Sequence, residues 1–102
     1  MQQNQYDQPK TIYFSSYDTD FDTADGTVTL DVKATLLRNS VQGYINNSTS
    51  HNLIIKFSED GSNYGQNILL LGNTQFDCKS ISISKVQLTA TQNNSAYEVF
   101  LT

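Results

Sequence analysis

The chain has 102 residues, a net charge of −4 and a pI near 4.5, a length that suits a single domain. Its six Lys and Arg are scattered, which argues against nucleic acid and against anionic membrane surfaces as partners. A lone cysteine excludes an internal disulfide, and no apolar run reaches the length of a membrane span.

Ser, Thr, Asn and Gln supply 41 of the 102 residues. This composition suits β-sheets with hydroxyl- and amide-covered outer faces better than it suits helices. Residues 1–10 (MQQNQYDQPK) are polar, Gln-rich and hold the only proline. They read as an extended N-terminal arm, with a disordered tail as the equal alternative and no secretory signal, ahead of one β-sandwich domain over 11–102.

The domain starts with a short β-prone stretch, Ile12-Tyr13-Phe14. Thr27 to Lys33 alternates and predicts a half-buried strand with Val28, Leu30 and Val32 inward. Ala34 to Ser40 fits either a strand or one helical turn. Val41 to Asn46 predicts a strand in which Gly43 marks a bulge or a close backbone approach. Asn52 to Phe57 places Leu53, Ile55 and Phe57 on one face. Asn67 to Leu71 is apolar on both faces and predicts a central strand.

Ile81 and Ile83 share one parity, whereas Val86, Leu88 and Ala90 take the other. Inverted parity requires a bulge or a bend between sheets at Ser84-Lys85. Tyr97, Val99 and Leu101 form the last apolar face, reached through Gln92-Asn93-Asn94-Ser95, which reads as a hairpin. These elements predict an all-β fold, a small antiparallel β-sandwich or jelly roll of about seven to eight strands.

Candidate chemistry is sparse. Asp18, Asp20 and Asp22 alternate as at the start of a calcium loop, but Thr23 replaces the required glycine and Thr29 the bidentate glutamate. The segment Asp18 to Asp25 therefore reads as a solvated acidic loop, with a weak calcium site as the lesser alternative. Glu59, Asp60 and Glu98 are the carboxylates available for acid–base work, without the tryptophan-lined cleft of a glycosidase. His51 reads as an exposed loop histidine and Cys78 as a buried small hydrophobe. One His and one Cys do not assemble a zinc site or a triad. Asn46, Asn47 and Asn93 match the glycosylation pattern. Gly61 and Gly65 precede no helix, as a phosphate loop would require. No catalytic, metal or cofactor residue is assigned, and the chain is expected not to be an enzyme.

The best local signature is Phe57-Ser58-Glu59-Asp60-Gly61-Ser62-Asn63-Tyr64-Gly65. Ser58 and Asp60 side chains can bond the turn amides, Gly61 can take positive φ, and Tyr64 can cover the hairpin end. The pattern is similar to one in discoidin-like, galactose-binding sandwiches, which implies a carbohydrate- or receptor-binding module with Tyr44, Tyr64 and Phe100 as candidate platforms. Over residues 41–102, the series NLIIKFSEDGSNYG, ILLLGNTQFD, SISISKVQL and NNSAYEVFL resembles small virion proteins of tailed bacteriophages. That resemblance implies a capsid decoration or head/tail joining component, assembled in the host cytoplasm. Such a component would dock on other virion proteins and on copies of itself, through sandwich faces, edges and the N-terminal arm.

Overall fold

The computed structural model describes residues 11–16 and 20–102. The N-terminal arm and Asp18 lie outside these residues. Among these residues, eight strands run in the order β1 (Ile12–Ser15), β2 (Thr27–Asp31), β3 (Ser40–Asn47), β4 (Leu53–Ser58), β5 (Ile68–Leu70), β6 (Thr74–Ile83), β7 (Lys85–Ala90) and β8 (Glu98–Leu101). One short helix, α1 (Val32–Leu36), separates β2 from β3, and a single 3-10 turn spans Thr23–Asp25.

The strands form two four-stranded antiparallel sheets, β1-β8-β3-β6 and β2-β7-β4-β5. The pairs nest as β1 with β8, β2 with β7, β3 with β6 and β4 with β5. This is the topology of a long hairpin rolled over on itself, the eight-stranded jelly roll. Each sheet turns its alternate apolar residues to the other. Ile45, Ile83, Val99 and Leu101 from the first meet Leu53, Ile55, Val86 and Leu88 from the second in one cluster, all without solvent exposure. At about 25 cal/mol per Å² of apolar surface, this shared layer is the main source of stability in a chain with no disulfide.

The parity inversion in the sequence has a physical counterpart. β6 belongs to one sheet and β7 to the other, and the chain bends between them at Ser84. The bend is buried and tied down: Ser84 donates its amide to Ser58 and accepts from Lys33. A second irregularity escaped the sequence reading. Along β6 the partners of Gln42 and Ser40 are Lys79 and Ile83, so two positions on β3 face four on β6. Ser80, at φ 51°, takes up the extra length and switches the inward set from Phe76 and Cys78 to Ile81 and Ile83.

Four expectations need correction. β5 is an edge strand, not a central one, and Leu69 and Leu71 are more than half exposed. An unbroken apolar run hides its period, so it looks buried on both faces when it is not. The predicted strand from Thr27 stops at Asp31, whose carboxylate accepts from the Ala34 amide and caps α1. The ambiguous segment after it is the helical turn. Gln92 to Ser95 is no hairpin, because β7 and β8 lie in different sheets. Ser95 instead pairs with Phe21 in an isolated bridge, and Phe21 packs edge-on against Tyr97 with ring centres 5.1 Å apart. His51, finally, is half-buried in the β3–β4 turn rather than exposed.

The signature loop joining β4 to β5 is built around a local hydrogen-bond network. Ser58 Oγ accepts from the Gly61 amide at 2.9 Å. Asp60 Oδ1 accepts from the Ser62 and Asn63 amides, each at 2.8 Å, and Oδ2 accepts from Asn63 Nδ2. Gly61 takes φ 86°, and Tyr64 bridges back to Ser58. The donors from Asn63, and then from Ser62, hold the Asp60 carboxyl well below the usual carboxylate range. A depressed pKa adds stability above the ordinary aspartate value, and that contribution is lost as pH falls through the folded-state pKa. Asp60→Asn should therefore narrow its stability deficit relative to the parent chain as pH drops from about 5 to about 2. Thermal melts across that window would show it, and a deficit independent of pH would contradict it.

Candidate functional site

Side chains on the outer face of the β1-β8-β3-β6 sheet are set by strand parity. Where Ile12, Val99, Leu101 and Ile45 point inward, their neighbours Tyr13, Glu98, Phe100, Tyr44 and Asn46 point out. The register aligns them in rows across the sheet. Tyr13 lies opposite Phe100, Phe100 opposite Tyr44, and Tyr44 opposite Asp77. The next row carries Ser15, Glu98, Asn46 and Gln75. On the other side of the aromatic row lie Thr102, Gln42 and Lys79.

The aromatic row is ordered. Tyr44 and Phe100 stack with ring centres 5.4 Å apart and planes 18° from parallel. Tyr13, 55% exposed, donates its hydroxyl to Glu98 Oε2 at 2.6 Å, and Asn46 Nδ2 donates to Oε1 at 3.1 Å. The Tyr13 bond, then the Asn46 bond, hold the Glu98 carboxyl below its ordinary value, and the same contact raises the Tyr13 hydroxyl. Gln75 Nε2 similarly donates to Asp77 Oδ1 at 2.9 Å. Beside the stacked rings lies an open depression of about 360 Å³, lined by Gln42, Gly43, Tyr44, Asp77, Lys79 and Phe100 among others. The face thus combines flat rings with planar amide and carboxylate groups held in fixed orientations.

Of the three aromatic candidates named from sequence, the structure brings two together, Tyr44 and Phe100. Tyr64 belongs to the β4–β5 loop instead. Tyr13, the most exposed ring of the row, is not among those three. The signal that could have found it is its outward parity between Ile12 and Phe14.

The other candidates are consumed by structure. Cys78 points into the core, and burial, with a smaller effect of Asp77, pushes its thiol up to about 11. In the acidic loop, Asp22 Oδ1 accepts from the Asn94 amide and Asp25 Oδ2 from the Asp22 amide, while Asp20 is exposed. Asn93 Oδ1 accepts from the Thr23 amide and hydroxyl. Asp60 and Glu98 engage different partners, Asp60 its own loop and Glu98 the outer sheet face. Among the described residues, no three His, Cys, Asp or Glu side chains gather closely enough to hold a metal ion, and no helix is long and apolar enough to cross a membrane.

No protein-family model matches the chain, and no curated protein does. Among solved structures, it is similar to the hydroxypropylphosphonic acid epoxidase from S. wedmorenis, determined in complex with fosfomycin. The two share 11% identity at a TM-score of 0.50, over 89% of this chain and 41% of the epoxidase. The chain thus spans less than half of that enzyme's length, and the likeness is one of fold.

Proposed function

We propose that the chain is a non-enzymatic structural subunit of a bacteriophage virion, a capsid decoration or head/tail joining component. It docks on copies of itself through the open edge of β5. The observation that carries this reading is the chemistry of that edge. β5 ends its sheet, with β4 as its one partner strand among the described residues, and Leu69 and Leu71 stand 56% and 53% exposed beside it. Soluble proteins blunt such an edge with charge, proline or a bulge. Here no charged residue and no proline occurs anywhere from Gly61 to Phe76.

Two chains that each carry a charge of −4 repel one another except where the approaching surfaces are neutral. The β5 edge is such a surface, and strand addition across it would cover the leucines. The resemblance of residues 41–102 to small virion proteins supports the same setting, and a disulfide-free jelly roll is suited to it. Sedimentation of the full chain should show concentration-dependent self-association, and Leu69→Lys should abolish it while leaving the thermal melt nearly unchanged. Mass spectrometry of purified particles should find the chain at a copy number that matches a symmetry of the shell or tail. A chain that stays monomeric at high concentration and is missing from particles would remove the proposal.

A further inference from the structure

We infer that the outer face of the β1-β8-β3-β6 sheet binds a neutral oligosaccharide, with Tyr44, Phe100 and Tyr13 as the stacking platform. This inference stands independently of the virion reading and concerns a different surface from the β5 edge.

The three rings lie on three neighbouring strands in one cross-strand row. Strands are spaced about 4.8 Å apart, so the row extends about 10 Å. That is the footprint of linked sugar rings, not of a single one. A pyranose offers an apolar face of C–H groups and a rim of hydroxyls. The 55% exposed ring of Tyr13 and the part-exposed stacked pair of Tyr44 and Phe100 present aromatic surface to the first. The second needs planar groups with paired donors and acceptors at the platform's border. Glu98 and Asn46 flank the rings on one side, and Gln42 and Lys79 flank them on the other. Glu98 is already oriented by Tyr13 and Asn46, so it loses little freedom when a hydroxyl donates to it. The adjoining depression of about 360 Å³ gives a second sugar ring room beside the platform.

Charge selects the ligand class. Nucleic acid bases also stack on aromatic rings, but their phosphates would face Glu98 and Asp77 with Lys79 as the one cation of these rows. The same carboxylates disfavour sialylated and uronic acid glycans. A neutral glycan carries no such penalty.

The test is a glycan array probed with the full chain, bearing neutral, sialylated and uronic acid oligosaccharides, alongside an oligonucleotide control. Selective binding of neutral oligosaccharides is expected, weakened at least about tenfold by Tyr44→Ala and unchanged by Tyr64→Ala. Should Tyr44→Ala fail to fold, Tyr13→Ala and Glu98→Gln take its place, since both residues are held only at the surface. Amide and side-chain NMR shifts on titration with the bound sugar should concentrate at Tyr13, Tyr44, Asn46, Glu98 and Phe100. No glycan binding, preference for acidic glycans or oligonucleotide, or shifts centred on the β4–β5 loop would each overturn the inference.

Discussion

Gly43→Ala should lower the melting temperature by roughly 15 °C or more, corresponding to about 3–5 kcal/mol. Two costs combine. Gly43 adopts φ 144°, a backbone conformation that a side chain disfavours by about 1–3 kcal/mol. A Cβ there would also lie 2.0 Å from the Phe100 carbonyl oxygen and 2.8 Å from Leu101 Cα. Those atoms are backbone of β8, the strand registered against β3 at this residue, so no side chain can rotate away. β8 would have to retreat, yet it is held between β1 and β3 and carries Val99 and Leu101 into the core. Gly65→Ala serves as the control, because a Cβ there meets nothing closer than 3.9 Å. Urea or thermal unfolding of both variants decides the matter. Equal, small effects would mean that the β3–β8 contact is not needed for the fold.

The second large effect is expected at Asn47. Its side chain is wholly buried at the end of β3 and is satisfied on both atoms. Nδ2 donates to the carbonyl of His51 at 2.6 Å and reaches those of Leu71 and Leu70 at 3.3 and 3.4 Å. Oδ1 accepts from the amide and hydroxyl of Thr49 at 3.2 and 3.1 Å. One side chain therefore shapes the β3–β4 turn and ties it to the end of β5 in the opposite sheet. Asn47→Ala leaves several buried groups without partners, at a cost of about 3 kcal/mol. Asn47→Asp should be worse at neutral pH, where a buried carboxylate would face three carbonyl oxygens. Its deficit should shrink as the pH falls and that carboxyl gains a proton to donate. The same burial forbids glycosylation of the folded chain at this position, although the sequence pattern matches there. Unfolding curves of the two variants at neutral and mildly acidic pH would test this, and a loss below about 1 kcal/mol for Asn47→Ala would contradict it.

Both positions show where sequence reasoning reached and where it stopped. Gly43 stands out inside the strand from Val41 to Asn46, where it fits either a bulge or a close backbone approach. Nothing in the chain named Phe100 as the partner, because that contact joins residues far apart in sequence. Asn47 carried no signal beyond a glycosylation pattern, since a buried asparagine and an exposed one look alike in one dimension. Phe21 is hidden among aspartates, and its bridge to Ser95 and its packing on Tyr97 place it in the core. The aromatic platform was half visible, as Tyr44 and Phe100 without Tyr13, because a row across a sheet exists only once the register is set.

What the amino-acid order determined alone was whatever depends on near neighbours. Period-two alternation marked most strands, inverted parity located the bend at Ser84, and Ser58, Asp60 and Gly61 specified their own turn. Only the tertiary structure decided which strands pair, that β5 lies at an edge, that β7 and β8 belong to different sheets, and that three aromatic residues share one outer row. The reason is that alternation records only that a strand has two unlike faces. Pairing, edges and surface patches arise from contacts between distant segments, which no local pattern encodes.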